Sequence, residues 1–514
     1  MIPKRYIFSL SISIILFLTS CSQEIPIGGN ETLPIIQLPS EVARSPTPLP
    51  QPAVETPPTT TPYNEYVPPF TDRPLDDTGP WLFFYESDQP QWVTNFYTAN
   101  LDGTGITSVL PTTSSTDESG EVIQEVPTIS AFALSPSGNY LALQTQSTST
   151  DVTLWLIQLP RGEVIQTIPL LGSQAQEAIA AKFGDTYVSA LWIKTIPISF
   201  LWSPNGHFLV ISAAIDGPST DIYIYDTETA SLSRLTSGPS EAVLMGWSPD
   251  SQWIVHQAVS TLQTPFKVAE GVWAISVDGA QLNQLYIPEK TATETIVGWT
   301  SPTTFINYSA PSGSPATQLR EVDILSGVLN PILNAIFKTA FTAPESQDIF
   351  IDMYGFHNWN PEIIPGFYRF SPQTNQIDKF LPGGYTLVAW VQELGLFAAA
   401  ERLTNTQVIY LDTSGETHLI LPRNHPTILW PIPSPNGEWL ITPNDVEYQL
   451  YTNTGELIRS IPGLGQILWL PDSSGFLQLN VNYSINQYLL ENDWEGQPLN
   501  SEFFLQGTFS LINP

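Results

Sequence analysis

A single cysteine, Cys21, occurs in 514 residues. No disulfide within the chain can brace the fold, and no group of cysteine ligands can hold a metal. Charged residues are also scarce, at 13%, roughly half of ordinary usage. Within that small set the cations are the rarer, 17 Lys plus Arg against 49 Asp plus Glu, and the formal net charge is -32. A field of that sign repels phosphate backbones and argues against nucleic acid as a partner. The five histidines, His207, His256, His357, His418 and His425, are scattered, and none is paired at the i, i+4 spacing of a helical metal site. A Gly-x-Ser-x-Gly elbow, a phosphate-cradling Gly-Lys-Ser/Thr loop and a dinucleotide glycine pattern at a strand-helix junction are all missing. On these grounds no catalytic residue, cofactor site or metal site is expected.

What the chain does have begins at its amino terminus. Lys4 and Arg5 precede an apolar run from Tyr6 to Leu18, closed by Leu18-Thr19-Ser20-Cys21. The run is short for a spanning helix and has the flanks of a signal peptide. The four closing residues resemble the lipobox of bacterial lipoproteins. That resemblance implies removal of residues 1–20, acylation of Cys21, and attachment to a membrane, on its extracytoplasmic side, without a spanning helix. Residues 21–80 then hold 14 of the 47 prolines and show no hydrophobic periodicity, the composition of an extended, disordered tether.

From Trp81 onward a motif recurs: "LSPSGNYLALQ" from Leu134, "WSPNGHFLVIS" from Trp202, "WSPDSQWIVHQ" from Trp247, "PSPNGEWLITP" from Pro433 and a worn "LPDSSGFLQLN" from Leu470. Proline sets φ for the first turn position, Asn or Asp tolerates the next, and Gly or Ser follows where φ turns positive. A period-two apolar run then starts the paired strand. Further strands follow each turn, as in "DIYIYDT" and "LSRLT" from Asp221, and "SQAQEAIAAKFG", Ser173 to Gly184, is the one expected helix. Four short antiparallel strands per unit of forty residues or a little more predict an all-β chain, a single β-propeller over residues 81–514. Unit starts fall near Ile129, Ile198, Val243, Ile296, Lys338, Tyr385, Ile428 and Ile467, so eight blades are expected, with seven as the alternative. A three-strand fragment from Trp81 precedes them.

These units resemble the WD-like repeats of the TolB family and of the noncatalytic propellers in the prolyl oligopeptidase group. The resemblance implies fold and leaves function open. Asp102, Asp226, Asp250, Asp278, Asp412 and Asp472 sit where turns favour Asp, which explains them structurally. The most distinctive loop is Ile351 to Phe370, where Tyr354, Phe356, His357 and Trp359 stand among amides and a carboxylate, suited to stacking on a sugar or peptide. Packing over a blade edge accounts for the same residues. Glu491, Asp493 and Glu495 read as a solvated turn, with cation binding as the alternative. The function expected is a membrane-anchored, noncatalytic binding module for a protein, peptide or glycan. The alternative is an extracellular hydrolase or lyase with carboxylates in the propeller channel.

Overall fold

The computed structural model describes residues 73–512 apart from short internal stretches, the longest being 184–197, 354–365, 423–430 and 261–267. Residues 1–72, Cys21 among them, lie outside the described residues.

The recurring Ser-Pro motif folds as its chemistry requires. In each of the four Ser-Pro copies the buried serine does two jobs. Its carbonyl accepts the N–H three residues on, as from Gly206 to Ser203, and its hydroxyl accepts the N–H five residues on, as from Phe208 at 2.9 Å. The same pair of bonds recurs at Ser135, Ser248 and Ser434. The fourth turn position is left-handed in all five copies, with φ of 75° at Gly138 and Gly206, 70° at Gly437, and 62° at both Ser251 and Ser473. Glycine is free to adopt that conformation, whereas serine there is strained.

Each turn joins the first two strands of a four-stranded antiparallel sheet, and nine such blades form. Blades 2 to 4 run from Thr128 to Pro169, Ser199 to Arg234 and Glu241 to Tyr286; blades 7 to 9 run from Tyr385 to Pro422, Ile432 to Pro462 and Gly465 to Asn500. Blades 5 and 6 share one strand, Leu329–Thr342. Its first half pairs with Ala316–Asp323 as the last strand of blade 5, and its second half pairs with Ile349–Met353 as the first strand of blade 6. First strands touch in succession from blade 2 to blade 6 and again between blades 9 and 1, so they form the innermost layer.

Blade 1 is assembled from both ends of the described chain. Gly507–Ile512 supplies its first strand, and Trp81–Gln89, Trp92–Ala99 and Thr107–Ser108 supply the other three, with Trp81 opposite Ile512. This corrects the expectation of eight or seven blades. The three-strand fragment from Trp81 completes a ninth blade together with a C-terminal strand that carries no turn motif. Closure of this kind removes the unpaired edge an open ring would leave.

Packing follows the same count. Nine apolar clusters occur among the described residues, one at each junction between neighbouring blades. Leu154 and Leu156 of blade 2 meet Leu209 and Ile211 of blade 3, for example, and Phe350 of blade 6 meets Phe397 of blade 7 with ring centroids 4.3 Å apart. Each fully buried side chain of this size contributes roughly 1.5–3 kcal/mol. The expected helix forms over Ser173–Phe183, between blades 2 and 3.

Candidate functional site: two unlike faces

Antiparallel blades with a common inner strand have two distinct faces. One carries the turns from first to second and from third to fourth strands, the turn face. The other carries connections from second to third strands and between blades, the loop face.

On the turn face no connection is longer than 100–106, and its polar groups bond to one another. Ser203 Oγ donates to Asn205 Oδ1 at 2.6 Å, Ser434 Oγ to Asn436 Oδ1 at 2.7 Å and Ser276 Oγ to Asp278 Oδ1 at 2.6 Å. Hydroxyl donors of this kind, Ser276 to Asp278, Ser326 to Asp323 and Ser474 to Asp472, together with backbone N–H donors hold these three carboxyls below the usual carboxylate range. Neighbouring turns are also tied together, Asn205 N–H to Ser251 Oγ at 3.1 Å and Asn436 N–H to Ser473 Oγ at 3.0 Å.

The turn face also holds a grouping the sequence reading missed. Asp412, Glu416 and His418 of blade 7 bring one ligand atom each to within 4.8 Å of one another, with His418 Nε2 2.9 Å from Asp412 Oδ2. The signal was a β-turn that sets residues four and six apart side by side, a spacing that a search for helical i, i+4 pairs passes over. Asp412 Oδ1 accepts from Ser414 N, Ser414 Oγ and Glu416 N. Burial works against its charge, but these bonds and His418 win and hold its carboxyl well below the ordinary range. Turn chemistry accounts for this grouping, and no metal is assigned to it. Among the described residues no other trio of His, Asp or Glu converges in this way, Glu491, Asp493 and Glu495 included. Their segment instead buries Trp494 against Trp439, Trp469 and Phe476.

The loop face carries connections 109–127, 170–198, 354–365 and 423–431. The first includes a small hairpin, Thr113–Thr116 with Val122–Glu125, and the second the helix. Gly172 N–H donates to Ala214 O at 2.7 Å and Ala214 N–H to Leu170 O at 3.0 Å, which seats the helix base on blade 3. A Cβ on Gly172 would lie 1.9 Å from Ile215 O, so only glycine permits the contact. Tyr354, Phe356, His357 and Trp359 fall in 354–365 and lie outside the described residues. The strands bearing them stop at Met353 and resume at Gly366, which are partners in the ladder, so this loop leaves and re-enters at one point of the loop face.

Carboxylates near the loop ends of inner strands are Glu241 and Glu294, and the described first strands hold no other carboxylate and no histidine. Glu241 Oε2 accepts from Thr220 N and Oγ1 at 2.7 and 2.8 Å. Glu294, with 0% side-chain exposure, is paired with Arg320 at 2.9 Å and also bonds Tyr286 Oη at 2.9 Å and Asn307 Nδ2 at 2.6 Å. Burial and then the Glu294 charge push the Tyr286 hydroxyl far up. Both carboxylates lie between blades and are engaged by protein groups, Glu241 Oε2 by Thr220 and Glu294 by Arg320, Tyr286 and Asn307. The histidines follow suit: His207 Nδ1 is 2.8 Å from Glu228 Oε1 on the turn face, and His256 is buried in blade 4, its pKa pushed down to about 4 by burial.

No protein-family model and no curated protein matches this chain. Solved structures similar to it include a eukaryotic initiation factor, at 14% identity and a TM-score of 0.48 over 85% of this chain and 98% of the other. TolB from Acinetobacter baumannii is similar at 14% identity and a TM-score of 0.29, over 68% and 65%. Prolyl endopeptidases are similar at 11% identity and a TM-score of 0.34, over 75% and 50%. The resemblance to TolB-type and prolyl-oligopeptidase-type propellers is thus met among solved structures, at the level of a shared β-propeller.

Proposed function

We propose that the chain is a noncatalytic binding module, held to the extracytoplasmic side of a membrane through acyl chains on Cys21, whose loop face takes a protein, peptide or glycan partner. The observation that supports it is the contrast between the faces. Turn-face polar groups are spent on the fold itself, whereas the longest connections all leave from the loop face, where variable segments on a rigid scaffold serve recognition. The occupied state of Glu241 and Glu294 favours binding over hydrolysis or lyase chemistry in the channel.

The test has two arms. Cys21→Ser shifts the protein from the membrane to the soluble fraction and abolishes incorporation of labelled palmitate; unchanged fractionation removes the anchor from the proposal. Full-length protein carrying Tyr354→Ala, Phe356→Ala and Trp359→Ala loses an envelope partner that wild type retains, while Ser137→Ala on the turn face keeps it. Equal retention by all three proteins overturns the assignment of the face.

A further inference from the structure

The third-to-fourth strand turn of blade 1, residues 100–106, is built from its own bonds. Asn100 N–H donates to Thr104 O and Gly103 N–H to Asn100 O, both at 2.9 Å, and Asp102 Oδ1 accepts from Thr104 N at 3.0 Å and Thr104 Oγ1 at 2.6 Å. Residues 73–77 bridge this turn and the matching turn of blade 2, residues 159–162, and they are held as a bound peptide would be. Asn100, 3% exposed, clamps the backbone at two points: Oδ1 accepts from Asp76 N–H at 2.8 Å, and Nδ2 donates to Pro74 O at 3.1 Å. Gly105 lets the backbone approach, since a Cβ there would lie 2.6 Å from Leu75 N. Alternate side chains then meet the propeller. Arg73 Nη1 donates to Asp102 Oδ2 at 2.8 Å, Leu75 packs with the apolar cluster between blades 1 and 2, and Asp77 pairs with Arg161.

The groove and its occupant differ in how firmly they are set. Asn100 Nδ2 is also fixed by Thr104 Oγ1 at 3.0 Å, so the turn itself aims the clamp and the wall is preorganised. The occupant, by contrast, stays at the surface. Arg73 and Asp77 side chains are 54% and 84% exposed, Leu75 is partly buried, and among the described residues no backbone-to-backbone bond ties 73–77 to either blade. A segment held in that way opens at lower cost than a laddered strand. We propose that this rim groove is a peptide-binding site, filled in cis by residues 73–77, that takes a partner protein's segment of the same chemistry when this strap is displaced. That chemistry is a cation for Asp102, an aliphatic residue two places on for the apolar cluster, and an acid two places further for Arg161, with free backbone groups for Asn100. The site stands apart from the loop face and needs no anchor.

The experiment uses the full-length chain, with Arg73→Ala/Leu75→Asp as the strap variant and a fluorescein-labelled peptide of residues 73–80 as the probe, read by anisotropy. The strap variant is expected to bind the peptide. Wild type is expected to bind it at least about ten-fold more weakly, because the cis segment holds the groove at high effective concentration. Adding Asn100→Ala to the strap variant removes both backbone bonds and is expected to weaken binding about ten-fold or more. No binding by a strap variant that keeps the wild-type unfolding transition, equal binding by wild type, or binding indifferent to Asn100→Ala overturns the site. Should the strap variant lose that transition, hydrogen exchange in wild type decides instead. The Asp76 amide is expected to be protected, yet to exchange through a local opening well before the blade amides. Exchange at the rate of the free peptide, or only together with the blades, overturns the proposal.

Discussion

The backbone N–H of Asn205 in blade 3 donates to Ser251 Oγ in blade 4 at 3.1 Å, and Ser251 makes that bond from a left-handed conformation with φ of 62°. Two effects oppose each other at this residue. The conformation costs roughly 1 kcal/mol relative to glycine, and the hydrogen bond contributes about 0.5–1.5 kcal/mol. Ser251→Gly exchanges one for the other and is expected to leave stability nearly unchanged. Ser251→Ala keeps the strain and loses the bond, and is expected to cost about 0.5–1.5 kcal/mol. Urea unfolding decides the matter: a Ser251→Ala midpoint equal to that of wild type would mean that the turn-to-turn bond contributes nothing, and equal midpoints for the two variants that the left-handed conformation costs nothing.

A second cross-blade bond distinguishes tryptophans that look alike in the sequence. Trp202, Trp247 and Trp469 each donate Nε1–H to a first-strand carbonyl of the preceding blade, at Ala133, Leu201 and Ile432, all at 3.1 Å. Trp390 is the last residue but one of the corresponding strand of blade 7, Tyr385–Val391, and its buried Nε1 has no hydrogen-bond partner. Trp247→Phe is therefore expected to lose that bond, at about 0.5–1.5 kcal/mol. Trp390→Phe removes an N–H that was already unsatisfied and is expected to cost clearly less. Thermal unfolding of the pair is the check, and a larger loss at Trp390 would contradict the assignment.

The contrast shows which parts of the molecule are legible in one dimension. Turn chemistry is local, so Ser203-Pro204-Asn205-Gly206 and its copies announce their strands, and the helix at Ser173–Phe183 falls where its composition places it. Three strands of blade 1 were legible as the fragment from Trp81, but its first strand was not, because Gly507–Ile512 lies at the opposite end of the repeat region and has no motif of its own. Nothing in the sequence says why serine replaces glycine at Ser251 and Ser473; the reason is a donor on the neighbouring blade. The same applies to Asp412, Glu416 and His418, which only the turn geometry brings together. Of the candidate site, the ends of the loop at Met353 and Gly366 are placed, and its aromatic residues lie beyond the described ones.

Ring closure makes the C-terminal strand worth more than its length suggests. Ile512 is 3% exposed and packs with Trp81, Leu141 and Leu143 across the junction of blades 1 and 2. Truncation after residue 506 would remove the inner strand of blade 1 and leave the edge of Trp81–Gln89 unpaired. The expected result is loss of a single cooperative unfolding transition and a tendency to associate. Addition of a peptide spanning residues 505–514 is expected to restore both, as read by calorimetry and sedimentation. A truncated chain that still unfolds cooperatively as a monomer would show that closure is dispensable.

His256 gives the molecule a defined acid sensitivity. Its ring is buried opposite Leu244 and Trp273, Nδ1 has no hydrogen-bond partner, and burial lowers its pKa to about 4. An exposed histidine in the unfolded chain titrates near 6.5. Between these values the unfolded state binds the proton and the folded state does not, so stability must fall as the pH drops from about 6.5 toward 4. The full effect of a gap that size is on the order of 3 kcal/mol. Below the lower value both states are protonated and the contribution levels off. The carboxylates held by the turns act in a lower window, so the two effects separate. Replacing His256 with Phe keeps an apolar ring at the site and removes the titration. The difference in unfolding free energy between wild type and His256→Phe is expected to change by that amount between pH 7 and pH 4. A difference that is flat with pH would mean that the imidazole is not held neutral between Leu244 and Trp273.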